Sequence, residues 1–373
     1  MTKINFYVVL LFSACFLAGC AGRPGPEVLQ AMPVSAPGAK TVTIYVATTR
    51  DGNPASGVFT SNRAAQMSYA RFTISIPRAH KPGNIEWPNG KSNAATDFVT
   101  IERHLLDRPG FEREISRKRN GVPPDIGVFV HGYNTNFQEA LFRMAQMTVD
   151  SGAAGVPILF AWPSEGRVSG YVADKDAVTY SRDQLVDLLT MLATKPSTGE
   201  ITIIGHSMGA WLTTEALRQL RLTGKNKVVD RLHVILAAPD IDVDVFRAQL
   251  KVIGPLSPPL TILVSRDDVA LSVSELLSTE RQRVGKLDVN DPRVASAARE
   301  AKVRIIDISE LQTSDRFKHN RFVALAALHP RIEATDGRGP GGEVRQAGAF
   351  VLRALGATIS SPFVIAGKVV GGE

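Results

Sequence analysis

"ITIIGHSMGAWLTTEALRQL", residues 201–220, changes character halfway along. Ile201, Thr202, Ile203 and Ile204 form a continuous β-branched run, the composition of a strand buried on both faces. From Met208 onward, Ala, Leu, Glu, Arg and Gln make a helix. At the switch stands one hydroxyl, Ser207, between Gly205 and Gly209. So abrupt a turn brings strand and helix together closely enough that side chains at the flanking positions would collide, which calls for glycine at both. The serine then projects from the C-terminal edge of a sheet, where the helix N-terminus favours negative charge.

Outward from this stretch, strand-like and helix-like runs alternate. "TVTIYVAT" (41–48) and "YARFTISIP" (69–77) read as leading strands. "IGVFVHG" (126–132), "VPILFAW" (156–162), "RLHVILAAP" (231–239), "LTILVS" (260–265) and "KVRIIDIS" (302–309) are short, apolar and β-branched. Over 177–193, Val178, Leu185, Leu188, Leu189 and Leu192 share one helical face. Alternation with many buried strands predicts an α/β fold with a mostly parallel central sheet covered by helices on both faces. Fewer than twenty residues separate "APDID" from "PLTILVS", so no large cap domain is expected there.

Gly-x-Ser-x-Gly between a buried strand and a helix is the nucleophile elbow of α/β-hydrolases. A serine hydroxyl needs a base, and the base needs an orienting carboxylate; in this fold they follow in the order Ser, Asp or Glu, His. Asp268 follows "LTILVS" and precedes the helical "VALSVSELL", so it serves equally as a helix N-cap. Asp240 and Asp267 stay open as alternatives. The histidine belongs after the last strand, where "ELQTSDRFKHNRF" (310–322) offers His319; His329 lies against Pro330 and reads as a helix-end residue. His80, His104 and His233 fall elsewhere in the order, and His206 points away from the pocket as the residue before the nucleophile. The oxyanion of acyl transfer needs preorganised donors, expected from the amide of Met208 and, in "VHGYNTNF" (130–137), the amide of Tyr133. A plain strand-ending turn would explain Gly132 and Asn134 equally. Trp162 and Tyr171 are candidates for lining an acyl pocket or for core packing.

Together these segments resemble a bacterial α/β-hydrolase family catalogued as domain of unknown function 900, over about residues 41–330. The carrying motifs are "VATTR" (46–50), "SIPRAHKPGNIEWP" (75–88), "VHGYNTNF", "AWPSEG" (161–166), "GHSMGAW" (205–211), "APDIDVDVF" (238–246) and "SRDDVALS" (265–272). The resemblance implies a Ser-Asp-His triad, falling here on Ser207, Asp268 and His319. It favours the aspartate two residues before Ala270-Leu271, which is Asp268. "KHNRF" departs from the family pattern, which has small and aromatic residues after the histidine.

The first twenty residues carry one lysine, an apolar run of about a dozen, and Leu17-Ala18-Gly19-Cys20. The run is too short to span a bilayer and suits a secretory signal. With the lipobox-like end, it predicts a signal peptide over 1–19, a lipidated Cys20 with a flexible tether over 20–40, a catalytic domain over 41–330 and a tail over 331–373. Removal of Cys15 with the leader would leave one cysteine and no disulfide. Ala21 follows Cys20 where aspartate would suggest inner-membrane retention, so the expected place is the cell envelope, at the outer membrane of a Gram-negative cell.

Bulk composition excludes little: 373 residues, 44% hydrophobic, 21% charged, net charge +7. Arg117-Lys118-Arg119 sits with Glu112 and Glu114 and reads as a solvated loop, so no nucleic-acid partner is expected. The chain has no His-Glu-x-x-His and no paired-cysteine motif, and "GNIEWPNGKS" (83–92) lacks phosphate-loop spacing, so no metal or cofactor is expected. The expectation is a membrane-anchored serine hydrolase of small or lipid-like esters. Rival readings are an acyltransferase with the same triad and a non-catalytic surface lipoprotein that binds a partner.

Overall fold

The computed structural model describes residues 23–326, apart from 34, 54–57, 119–120, 153–154, 279 and 314, together with 369–370. The expected leader (1–19), Cys20, His329 and all of the tail except 369–370 lie outside these residues.

Among the described residues, ten strands form one sheet in the order β10-β9-β8-β7-β6-β4-β5-β1-β2-β3. Seven run parallel: β1 (Lys40–Asn53), β4 (Ile126–Val130), β5 (Val156–Ala161), β6 (Ile201–His206), β7 (Leu232–Ala237), β8 (Thr261–Val264) and β9 (Arg304–Asp307). β2 (Val58–Ile76), β3 (Val99–Leu106) and β10 (Val369–Val370) join antiparallel at the two edges. β3 was not foreseen. Its "VTIERHLL" alternates buried and exposed, the weak pattern of a strand with one wet face.

The parallel strands divide their side chains between two cores, one on each face of the sheet. On β6, Ile201 and Ile203 join one and Ile204 the other. The first core lies under α1 (Arg108–Ile115), α3 (Tyr171–Thr194), α4 (Met208–Leu222), α6 (Val243–Ile253) and α8 (Pro292–Glu300), after the one-turn α5 (Asn226–Val229). The second lies under α2 (Phe137–Ser151). The periodic residues of 177–193 are all buried in the first core, as their spacing requires. Only α6 stands between β7 and β8, and α7 (Val269–Leu277) follows β8.

Part of the stretch read as a free tether, 20–40, is laid on the domain. Residues Pro26–Leu29 form a 3₁₀ turn that buries Val28 and Leu29, and Met32 donates its amide to the Thr100 carbonyl at 2.8 Å. An apolar pair behind a proline at the first turn supplied the burial that a flexible linker lacks. "SIPRAHKPGNIEWP" ends β2 and forms a loop pinned by His80, whose ring nitrogens stand 2.6 Å from Glu86 Oε2 and 2.8 Å from Asp150 Oδ1.

Because the strands are parallel, the turns after β4, β5, β6, β7, β8 and β9 all open at one edge, their C-terminal ends. That edge is where ligands bind in open α/β sheets.

Candidate active site

Ser207 occupies the turn between β6 and α4 with φ +56° and ψ −120°, a conformation disfavoured for a non-glycine residue by about 1–3 kcal/mol. Its amide donates to the Ala237 carbonyl at 3.0 Å, and its carbonyl accepts from Ala210 at 3.0 Å and Asp240 at 3.2 Å. These bonds to β7 and α4 hold the strain in place. A Cβ on Gly205 would stand 2.8 Å from Ala210 Cα, and one on Gly209 would overlap the carbonyl oxygens of Val130 and His131. The two glycines are therefore needed for backbone approach.

The turn after β4 passes across the serine. A Cβ on Gly132 would lie 2.9 Å from Ser207 Cβ and 2.9 Å from His206 Nδ1. Tyr133 follows it. Met208 opens α4, so its amide belongs to the first-turn N–H groups that find no acceptor inside the helix. The Tyr133 hydroxyl donates to the Val168 carbonyl, and its ring meets Tyr171 edge-on at 5.2 Å. Burial, with Asp174 and Asp240 nearby, pushes the Tyr133 phenol up to about 12, so it stays a donor at neutral pH.

Two buried charges hold this turn. Arg50, at the end of "VATTR" and 2% exposed, donates to the carbonyls of Thr135 at 2.9 Å, Ser164 at 3.1 Å and Thr60 at 3.1 Å. Burial brings its guanidinium down to about 10, with Asp174, Glu139 and Glu165 opposing the fall, so it remains charged. Asp174 on α3 accepts from the Asn134 amide at 3.1 Å, the Glu165 amide at 2.7 Å and Ser164 Oγ at 2.6 Å. Burial raises its pKa, and the three bonds and Arg50 offset part of that. Trp162 is fully buried, stacks on His131 at 4.8 Å and donates Nε1 to the His131 carbonyl at 2.7 Å. It packs the core under the turn. Burial, reinforced by the nearby Arg50 charge, drops His131 to about 3, so that ring is neutral.

Asp268 caps α7 and orients a histidine with one carboxylate. Its Oδ1 accepts from the Leu271 amide at 2.9 Å, and its Oδ2 lies 2.7 Å from His319 Nδ1. The side chain is wholly buried. Asp240 is committed elsewhere, to Ser274 Oγ at 2.6 Å, the Tyr171 hydroxyl at 3.1 Å and Arg283 at 3.2 Å. Asp267 accepts from Lys318 at 2.9 Å and Arg321 at 2.7 Å. These cations and Ser265 outweigh partial burial and hold the Asp267 carboxyl below the usual range.

"KHNRF" thus departs from the family pattern for a local reason: Lys318 and Arg321 clip the histidine turn to Asp267 from outside. Asp315 does the same from within, accepting from the amides of His319 at 2.8 Å and Asn320 at 3.0 Å. Burial opposes a charged ring at His319. The charge and hydrogen bond of Asp268 outweigh it, aided by Asp240 and Asp315, so the pKa stands above 6.5.

His206 does more than precede the nucleophile. Its ring lies 4.6 Å from that of His319 and 4.6 Å from Phe322, and Nε2 is 3.2 Å from the His319 carbonyl, which makes Nε2 the donor. Burial, and then the charge on His319, drives its pKa far down, so it is a neutral wedge. Arg50, Asp174 and Asp315 were not assigned roles from the sequence, and His206 was considered only as the residue before the nucleophile. None of the three had a local signal, because the partners of each are brought together only by the fold.

An elbow serine, a crossing turn after β4, and a histidine held by an aspartate after β8, on a mostly parallel helix-covered sheet, are the plan of an α/β-hydrolase. Residues 110–335 match the family described as alpha/beta hydrolase of unknown function (DUF900), and the chain belongs to that family. "VATTR" and "SIPRAHKPGNIEWP" precede the matched span. Over 61 residues the chain is 38% identical to the uncharacterized protein alr1448 of Nostoc sp. (strain PCC 7120 / SAG 25.82 / UTEX 2576), a stretch covering 16% of each protein. No solved structure matches.

Proposed function

We propose that the protein is a lipid-anchored serine hydrolase of carboxylic esters, with Ser207 as nucleophile, His319 as base and Asp268 as the residue that orients it. The observation that carries this reading is the 2.7 Å contact of His319 Nδ1 with a buried aspartate, on the same sheet edge as a strained serine. With Nδ1 committed to Asp268, Nε2 is the basic nitrogen. In this reading Ser207 Oγ adds to the acyl carbon as its proton passes to His319 Nε2. The amides of Met208 and Tyr133 receive the oxyanion. The carbon–oxygen bond to the alcohol then breaks, and His319 gives the alcohol its proton. Water, deprotonated by His319, adds to the acyl-enzyme and releases the acid and Ser207.

The fact that Asp240 and Asp267 are both bonded elsewhere favours Asp268 as the triad acid. The reading extends to the N-terminus: a leader over 1–19, acyl chains on Cys20 and residence at the cell envelope. In this reading attachment is through Cys20; among the described residues no helix is long and apolar enough to cross a membrane.

The test is mass spectrometry of the full chain quenched in acid during turnover of a p-nitrophenyl ester. The expected result is an acyl mass on the peptide holding Ser207, lost in Ser207→Ala. Acyl transfer to an added alcohol in preference to water would make the protein a transferase. Folded protein with no burst and no acyl-serine would contradict the assignment.

A further inference from the structure

Seven of the twelve large apolar side chains that stand exposed among the described residues come from three segments around Ser207. Single apolar residues on a surface need no account, but a contiguous group does. α7 begins at Asp268 and carries Val269, Val273, Leu276 and Leu277 at the spacing of one helical stripe, while Leu271 and Ser274 are buried on its other side. Leu276 is the most open residue of the stripe, at 72%. Phe317, two residues before His319, borders the stripe by accepting the Val269 amide at 3.0 Å. Across the site, Val168 takes the Tyr133 hydroxyl, and Val172 is tied to α7 through Tyr171, whose hydroxyl lies 2.8 Å from Ser274 Oγ.

Where the chain enters the domain indicates what covers this surface. Arg23 donates to Asn134 Oδ1 at 2.7 Å, to the Asn134 carbonyl at 2.5 Å and to the Gly166 carbonyl, and its Nε donates to Glu139 Oε1 at 2.8 Å. The N-terminal segment therefore reaches the domain at the turn that carries Tyr133. Cys20 is three residues earlier. Three residues span at most about 11 Å, no more than the width of one helix. Acyl chains on Cys20 would hold the bilayer surface against the same edge of the sheet that bears Ser207 and the apolar rim.

We infer that the α7 stripe, with Phe317, Val168 and Val172, docks on the membrane that holds Cys20, and that Ser207 takes acyl esters of membrane lipids directly from it. The inference rests on the hydrolase and lipid-anchor readings above. The chemistry balances without a co-reactant besides water: the acyl C–O bond of the lipid breaks, its alcohol leaves with the proton from His319, and water releases the fatty acid.

The test uses the full-length chain in vesicles of phosphatidylethanolamine and phosphatidylglycerol. Cys15 and Cys20 are the chain's two cysteines, so after cleavage and acylation Leu276→Cys takes a single environment-sensitive fluorophore. A Val122→Cys label ahead of β4, at the opposite edge of the sheet, is the reference. Docking predicts a blue shift and quenching by nitroxide-bearing lipid at 276 and neither at 122; equal behaviour at the two sites would overturn it. Separately, Val273→Ser with Leu276→Ser should cut turnover of vesicle-borne phosphatidylglycerol at least tenfold relative to a water-soluble ester. An unchanged ratio also counts against docking. Acylation of Cys20 by mass spectrometry and fluorophosphonate labelling of Ser207 report the two supporting readings separately. An acylated, labelling protein whose 276 site stays in water loses the docking alone, and an unacylated Cys20 removes the anchor and the docking with it.

Discussion

Alanine at position 132 should silence the site while leaving the fold standing. The added Cβ would meet Ser207 Cβ at 2.9 Å, His206 Nδ1 at 2.9 Å and the His206 carbonyl oxygen at 3.3 Å. Ordinary carbon contacts lie at about 3.5–4.0 Å, so the turn must retreat by roughly 0.6–1 Å. None of the obstructing atoms is the free end of a flexible side chain. An oxyanion donor acts at about 2.7–3.1 Å, and loss of one costs about 10²–10³ in rate, or about 2.7–4 kcal/mol. Displacing the Tyr133 amide by that retreat should cost the same. Overpacking at one site costs about 1–3 kcal/mol of stability, which a domain with two cores withstands. The assay is the second-order rate of fluorophosphonate labelling, beside the urea midpoint of the same preparation. A folded Gly132→Ala protein that labels within threefold of wild type would refute the view that this turn presents a donor to Ser207.

Three further outcomes are expected. Asp268→Asn keeps the capping oxygen for Leu271 but loses the charge facing His319, so labelling should fall about 10³–10⁴-fold; Asp240→Asn and Asp267→Asn should fall less than tenfold, and the reverse order would move the triad acid. Labelling should rise with pH through an apparent pKa above 6.5, because the base must be neutral and Asp268 holds the His319 proton; a midpoint below 6.5 would contradict this. The folded-state pKa values of His319 and His80 are both raised, so their stabilisation is complete below about pH 6.5 and lost as pH rises through the folded values, which urea midpoints across that range will follow. Arg50→Met removes the donor from the carbonyls of Thr60, Thr135 and Ser164, of which the bond to Ser164 is fully buried and costs about 1–3 kcal/mol to lose; thermal unfolding should show a loss of at least that size together with slower labelling.

What could be read from the chain was whatever repeats over a short stretch. Continuous apolar runs marked six of the seven parallel strands, β4 to β9, because a strand buried on both faces leaves no room for alternation. The elbow was legible because its glycines, strand and helix are contiguous. The aspartate was legible only as a choice among three. What separates Asp268 from Asp240 and Asp267 is the distant partner each meets in the fold, and those partners lie between 34 and 69 residues away. Arg50 and Asp174 were invisible for the same reason: each bonds backbone groups brought from distant turns. β3 was missed because an edge strand with one wet face carries half the apolar signal. Val28 and Leu29 are two apolar residues within a Pro, Ala and Gly-rich stretch, too few to mark a packed segment.

Fluorophosphonate labelling of the full-length protein, beside Ser207→Ala and His319→Ala and with folding checked by circular dichroism, decides whether Ser207 is an activated nucleophile. The expected result is one label per chain, on Ser207, abolished in the first variant and reduced at least a thousandfold in the second. A folded wild-type protein that does not label, or that labels equally well without His319, would contradict it.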